Sequence, residues 1–194
     1  MRRENWYLYH FDFERYLELR PILGRAHDPA SLEPLVQDTE TQTIYDELLE
    51  GSITLAVARH AMVETLCCIG EPLVFARELS RLVSHLSKIK EGIEASIILS
   101  ELLSGGYNLD KWLLPPCKTY GFLKPSQTVE LAESLLYYLK KRKRKPGHGI
   151  LRFLHRILLG LTDAPPPERD TLEHLTPFIV EAAENGFGVA VVIA

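Results

Sequence analysis

The sequence lacks the long apolar run that a membrane-spanning helix needs. Of its 194 residues, 46% are hydrophobic, yet no run reaches the roughly 18 consecutive apolar residues of a span. Acidic residues and a histidine interrupt the first apolar stretch, and no small-residue cleavage site follows it, so we predict no signal peptide. These absences favour a cytoplasmic protein with no membrane partner.

Cysteine is scarce, and the common catalytic motifs are missing. The three cysteines are an odd number, and Cys67 and Cys68 are adjacent within a helical pattern, where a bridge between them would strain the backbone. We therefore predict reduced thiols, as in the cytosol. No Walker loop, dinucleotide fingerprint, Gly-x-Ser-x-Gly elbow or His-Glu-x-x-His helix is present. We predict no catalytic residues and no cofactor, which leaves enzymatic activity open but favours a non-enzymatic role.

Acidic residues are absent from one segment of an otherwise acidic chain. The net charge is −4, but residues 140–156 contain eight Lys or Arg and no acid, which leaves 14 basic and 26 acidic residues, or −12, elsewhere. Adjacent cations repel one another, so an anionic partner would be stabilised by neutralising them. The alternative is a solvated helix end whose cations complement the helix dipole. The predicted anion- or partner-binding residues are Lys140, Lys141, Arg142, Lys143, Arg144, Lys145, Arg152 and Arg156.

Two further groups are candidate sites. The irregular stretch 107–120 contains aromatic side chains that could line a surface groove, namely Tyr107, Trp112 and Tyr120. His60, Glu64 and Cys67 share one face of a predicted helix and are the candidate metal ligands. A metal would need a further ligand from another element, such as His85, Glu94 or Cys117. Because free cysteine commonly packs as a small hydrophobe, we predict core packing and no metal site.

The hydrophobic pattern predicts a strand near each terminus and helices between them. Trp6–Phe13 alternates with a period of two and places Tyr7, Tyr9, Phe11 and Phe13 on a core-facing side. Phe187–Ala194 is a second apolar strand, and pairing the two would join the termini. Helices are predicted at Glu14–Leu19, Pro29–Val36, Thr39–Glu50, Ile53–Ile69, Leu73–Ile89, Ile93–Leu103, 150–161, from a Ser126 cap to Leu139, and from an Asp170 cap to Asn185. The expected fold is one α+β domain over residues 1–194, mostly helical, with a small sheet pairing the terminal strands.

Two stretches have a recognisable pattern, GFLKPSQTVELAESL beginning at Gly121 and LTPFIVEAAENG before the strand GVAVVIA. Their order resembles the YfbM-like family of small bacterial proteins of unknown function. The resemblance covers Gly121–Leu139 and Leu172–Ala194, with a plausible first strand. It implies one α+β domain made of an N-terminal strand, a helical middle and a C-terminal helix and strand. It carries no catalytic residues to this chain.

The first functional hypothesis is a cytosolic bacterial module that binds another protein, as an accessory or immunity-type factor. One alternative is a nucleic-acid-associated protein that uses residues 140–156. A second alternative is a metal-dependent enzyme that uses the face from His60 to Cys68. A homodimer is a further expectation, because strands at the termini leave sheet edges that can pair between chains.

Overall fold

A four-stranded antiparallel sheet lies at the centre of a mostly helical α+β fold. The structure is a computed structural model and describes residues 5–75, 78–104, 119–143 and 167–193. The strand order is β2-β1-β4-β3. The strands are β1 Trp6–Phe11, β2 Cys68–Phe75, β3 Thr119–Leu123 and β4 Gly188–Ile193.

The predicted pairing of the terminal strands is confirmed. Strands β1 and β4 pair antiparallel from Trp6 opposite Ile193 to Phe11 opposite Gly188, without a register shift. They are the two inner strands, so each has a neighbour on both sides. The sheet is therefore assembled around a contact between residues more than 170 positions apart.

Helices cover both faces of the sheet. One layer consists of α1 Phe13–Arg25, a 3-10 helix Pro29–Leu35, α2 Thr39–Leu49 and α3 Leu55–Cys67. The other consists of α4 Glu78–Leu86, a 3-10 helix Lys90–Gly92, α5 Ile93–Leu103, α6 Pro125–Lys143 and α7 Pro167–Glu184. Each layer encloses its own apolar cluster against the sheet.

Both faces of β1 are buried, whereas the sequence predicted one core face. Phe11, with Tyr7 and Tyr9, packs against the layer of α1 to α3. Trp6 and Leu8 are equally part of the core on the opposite face. The predicted aromatic face is confirmed, and the burial of the second face follows from the helices α4 to α7 that cover it.

The other two strands were not predicted. Residues 68–75 were assigned to the end of one helix and the start of the next, but they form β2, with a register shift opposite Tyr9. Gly70, which directly follows the predicted helix Ile53–Ile69, has φ +73° within this strand. Residues 119–123 form β3, and Gly121 lies so close to α5 that a Cβ would stand 1.6 Å from the Leu102 carbonyl oxygen.

Three predicted helix ends also need correction. Helix α1 continues through Pro21 to Arg25. Proline has no backbone N–H, so the carbonyl of Leu17 loses its hydrogen bond within the helix. Leu17 is exposed, so water can reach this carbonyl. Helix α7 begins at Pro167, which places Asp170 inside it and not at its cap. At α6 the Gln127 side chain accepts from the Lys124 backbone N–H at 3.1 Å, so the local cap does not use Ser126.

Within the described ranges, no helix combines the length and apolar character needed to cross a bilayer. Tyr107, Trp112, Cys117, the predicted helix 150–161 and the basic residues Arg144, Lys145, Arg152 and Arg156 lie outside these ranges. Predictions about them stay predictions.

Candidate docking face on helices α5 and α6

Helix α6 carries the part of the predicted basic segment that the structure describes. The helix extends to Lys143, so Lys140–Lys143 form its last turn. Lys140 and Lys141 are exposed. Whether these cations complement a helix dipole or bind an anionic partner stays a prediction.

The buried side of α6 fixes how the helix is oriented. Leu131, Leu135 and Tyr138 point into the core shared with α4, α5 and α7. The Tyr138 hydroxyl lies 3.3 Å from Nε2 of His85 at the end of α4. This packing leaves the opposite side of α6 facing solvent.

That solvent-facing side is unusually apolar. Val129, Leu136 and Tyr137 are 40%, 49% and 50% exposed, and Ile93 and Ile97 on the adjacent α5 are 43% and 53% exposed. Single exposed apolar residues are common on protein surfaces, but neighbouring ones are typical of interaction sites. We call this surface the α5–α6 face. Its members are Ile93, Glu94, Ile97, Val129, Glu130, Glu133, Leu136, Tyr137, Lys140 and Lys141.

Charged groups divide the α5–α6 face into two ends. At one end, a groove of about 320 Å³ between the helices is lined by Glu94, Ile97, Ile98, Glu130, Glu133 and Ser134. At the other end, Lys141 Nζ lies 5.4 Å from the centre of the Tyr137 ring, within cation–π range. Tyr137 and Lys141 therefore present an aromatic surface and a cation side by side.

The helical wheel could have revealed part of this face. The sequence pattern Val129, Leu131, Ala132, Leu135, Leu136 and Leu139 predicts a single apolar side for this helix. On a helix of 3.6 residues per turn, Val129 and Leu136 lie more than about 120° from the line of Leu131, Leu135 and Tyr138, so they fall on its far side. The contribution of Ile97 depends on how α5 packs against α6, and no sequence signal gave that.

The predicted aromatic groove is described only at its last member. Tyr120 lies in β3, where it pairs with Val192 of β4. The irregular connection predicted for residues 107–120 therefore gives way to a strand at its end, because β4 offers a free edge for pairing. The other two aromatic residues of the group lie outside the described ranges.

The residues predicted as metal ligands do not converge. His60 Nδ1 and Glu64 Oε2 are 3.6 Å apart on α3, but Cys67 is fully buried in the core on the same side of the sheet. His85 and Glu94 belong to the opposite helical layer. Among the residues that the structure describes, no three His, Cys, Asp or Glu side chains form a group able to hold a metal ion.

The environment of Tyr9 and Cys68 suppresses ionisation. Burial raises the pKa of Tyr9, and the neighbouring Glu64 carboxylate and Cys68 raise it further. Burial also raises the pKa of Cys68, with the same carboxylate adding to the effect. Neither group is therefore an activated nucleophile, since thiolate chemistry needs a depressed thiol pKa.

A second groove, of about 390 Å³, lies between β2 and the first turns of α4 and α7. It is lined by Leu73, Val74, Phe75, Glu78, Asp170, Thr171 and His174. His174 Nδ1 is 3.8 Å from Asp170 Oδ1, and both side chains are more than 60% exposed. Solvent screens such a pair strongly, so it contributes little to recognition.

No family model matches the chain, and no curated protein or solved structure is significantly similar to it. The resemblance to the YfbM-like family therefore stays a prediction.

Proposed function

We propose that this chain is a protein-binding module and that the basic end of the α5–α6 face docks an acidic, partly apolar surface of another protein. One observation carries the proposal: two half-exposed apolar side chains, Leu136 and Tyr137, adjoin the exposed Lys140 and Lys141 on one helix. Apolar contacts supply affinity, and the lysines supply orientation and charge selection.

The proposed setting is the bacterial cytoplasm, in an accessory or immunity-type role. The odd number of cysteines, with Cys67 and Cys68 both free, is what a reducing compartment favours. The resemblance to a bacterial family supports the rest of this proposal.

Nucleic acid is the second candidate partner, because Tyr137 could stack on a base while the lysines contact phosphates. Glu130 and Glu133 stand about one to two helical turns from Tyr137 on the same face. Their carboxylates would repel a phosphate backbone that continued along α6. The local charge pattern therefore favours a protein.

Fluorescence anisotropy with three labelled probes separates these partners. The probes are an acidic amphipathic Glu/Leu peptide, a poly-Glu peptide of equal charge and a single-stranded oligonucleotide. We expect the amphipathic peptide to bind most tightly. The double variant Leu136→Ser with Tyr137→Ser should bind this peptide about tenfold more weakly. It loses the burial of the exposed halves of these two side chains, which contributes about 1–2 kcal/mol.

A matched control is Leu17→Ser with Leu49→Ser, which removes two equally exposed apolar side chains from the other helical layer. This control should bind all probes as the unaltered chain does. Tightest binding of the oligonucleotide, with a steep loss on adding salt, would place nucleic acid first. Binding of the amphipathic peptide no tighter than poly-Glu would refute an apolar docking site.

A further inference from the structure

The α5–α6 face is complementary to itself. Glu130 and Glu133, with Glu94 beside them, make one end of the exposed side of α6 negative. Lys140 and Lys141 make the other end positive. The two ends are about ten residues apart, or about 15 Å along the helix axis.

An apolar stripe joins the two charged ends. Val129 and Leu136 are seven residues apart and so lie on the same line of the helix surface, as in a heptad repeat. Tyr137 borders this line on the α5 side, and Ile97 of α5 borders the acidic end. The surface is thus negative, apolar and positive along its length.

We propose that α6 pairs antiparallel with α6 of a second copy of this chain, about a two-fold axis close to Leu136. Reversing the helix brings Glu130 and Glu133 of one copy opposite the basic end of the other, and the symmetry repeats these contacts. Leu136 then meets the same residue of the second copy near the axis. A parallel arrangement would oppose like charges and is disfavoured.

The dimer is weak and reversible. Its apolar contacts come from a few half-exposed side chains per copy, less than the area of a permanent dimer interface. The dissociation constant of the dimer is on the order of micromolar, which sedimentation can measure. Because the ion pairs are exposed, added salt weakens the dimer.

Self-pairing also regulates the proposed function, and this consequence alone depends on that function. The dimer buries Leu136, Tyr137 and the lysines, so a second copy and an acidic protein partner compete for the same face. An acidic amphipathic peptide should therefore convert dimer to monomer. The dimer itself requires no other protein.

Charge exchange tests the dimer with purified chain alone. Sedimentation velocity is measured from about 1 to 300 µM, a range that brackets a micromolar affinity. The variants are Glu130→Lys with Glu133→Lys, Lys140→Glu with Lys141→Glu, and all four changes together. All four residues are exposed, and circular dichroism melting confirms that each variant is folded.

We expect the unaltered chain to dimerise as its concentration rises. Each two-residue variant should raise the dissociation constant at least about tenfold, because positions 130, 133, 140 and 141 then all carry the same sign of charge. Mixing these two variants should produce a heterodimer, and the four-residue exchange should restore the homodimer. The control Arg81→Glu with Lys88→Glu changes exposed cations on or next to α4 and should leave the dimer intact.

Three results would overturn the inference: a chain that stays monomeric at the highest concentration, a dimer that survives in both two-residue variants, or a four-residue exchange that fails to restore pairing. Leu136→Asn is a second route that leaves the charges unchanged and should weaken the dimer at least about tenfold. Binding of the acidic peptide by a strictly monomeric chain would retain the proposed function while removing the dimer. A dimer that binds no acidic peptide would retain the dimer while removing the proposed function.

Discussion

At the scale of single residues, two buried threonines differ in how their hydroxyls are satisfied. Thr41 Oγ1 accepts the backbone N–H of Gln37 at 2.9 Å and of Asp38 at 3.1 Å, and lies 2.8 Å from the Asp38 carboxylate. Thr176 Oγ1 is buried and has no hydrogen-bond partner within the part of the chain that the structure describes. The same atom is therefore stabilising at one position and a desolvation cost at the other.

We expect Thr41→Val to lower the free energy of unfolding by about 1–3 kcal/mol, because it leaves two backbone donors unsatisfied. Thr176→Val should be neutral or stabilise by up to about 1 kcal/mol, since no bond is lost and a desolvated hydroxyl is removed. Urea unfolding of both variants measures the difference. Equal losses would show that Thr176 has a polar partner.

Burial controls the chemistry of the adjacent thiols. It raises the pKa of Cys67 from 9.0 to about 12, with the Asp12 carboxylate adding to the effect and Arg15 opposing it. A raised folded-state pKa means that the neutral thiol is favoured on folding. The resulting stability is complete below about pH 9, the unfolded pKa, and is lost as pH rises toward about 12.

We expect neither Cys67 nor Cys68 to react with iodoacetamide in the folded protein at about pH 8, below the ordinary thiol pKa, and both to react after unfolding. Mass spectrometry of the peptide that contains both cysteines counts the labels, and fragmentation between Cys67 and Cys68 assigns them. Between about pH 8 and 11, the unaltered chain should also lose more stability than Cys67→Ala with Cys68→Ala, which lacks these two buried thiols and keeps only Cys117. Rapid labelling of either thiol in native buffer would contradict the burial argument.

At the scale of elements, one glycine sets how closely a strand approaches a helix. A Cβ on Gly121 of β3 would lie 1.6 Å from the Leu102 carbonyl oxygen of α5 and 2.9 Å from a Val191 methyl. Neither the helix backbone nor the central strand can move aside cheaply. The absent side chain is therefore what lets α5, β3 and β4 pack together.

We expect Gly121→Ala to destabilise the fold by more than about 3 kcal/mol or to prevent folding, in the range of severe overpacking. Gly51→Ala is the matched control, because Gly51 has φ +75° but no atom within 4 Å of the place where a Cβ would stand. It should cost only about 1 kcal/mol, the strain of a left-handed residue. Chemical denaturation of the two variants compares them, and similar losses would contradict the close contact.

At the scale of the whole molecule, β1 and β4 bring the two ends of the described chain together. Trp6 and Ile193 are paired across adjacent strands, and the turn after α2 at Gly51–Ser52 is exposed. The chain could therefore be joined at its termini and opened elsewhere without disrupting the sheet. Termini that lie close together are what makes such permutation tolerable.

We expect a circular permutant with a short Gly-Ser linker between the original ends, opened between Gly51 and Ser52, to fold with a native circular dichroism spectrum. A permutant opened between Leu8 and Tyr9 should not, because that break divides an inner strand. Urea unfolding of both proteins provides the comparison. Failure of the first permutant would argue against the β1–β4 pairing.

Local patterns determined several parts of this protein from sequence alone. The period-two alternation of β1, the Asp12 and Asp28 caps and the Gly186 helix end are formed by residues within a few positions of one another. Interactions between neighbouring residues stabilise these features, so a single sequence is enough to predict them. The pairing of β1 with β4 was also predictable, because these were the two clearest strands.

Tertiary structure decided the rest. Strands β2 and β3 contain glycine and have weak strand patterns, so β2 is held by pairing with β1 and β3 by pairing with β4. Residues 68–75 looked helical because apolar residues next to helices continue the helical period. The α5–α6 face was only partly predictable from the sequence, because the exposure of Ile97 depends on how α5 packs on the core. Local sequence specifies an element's surface, whereas long-range contacts select which part of that surface is buried.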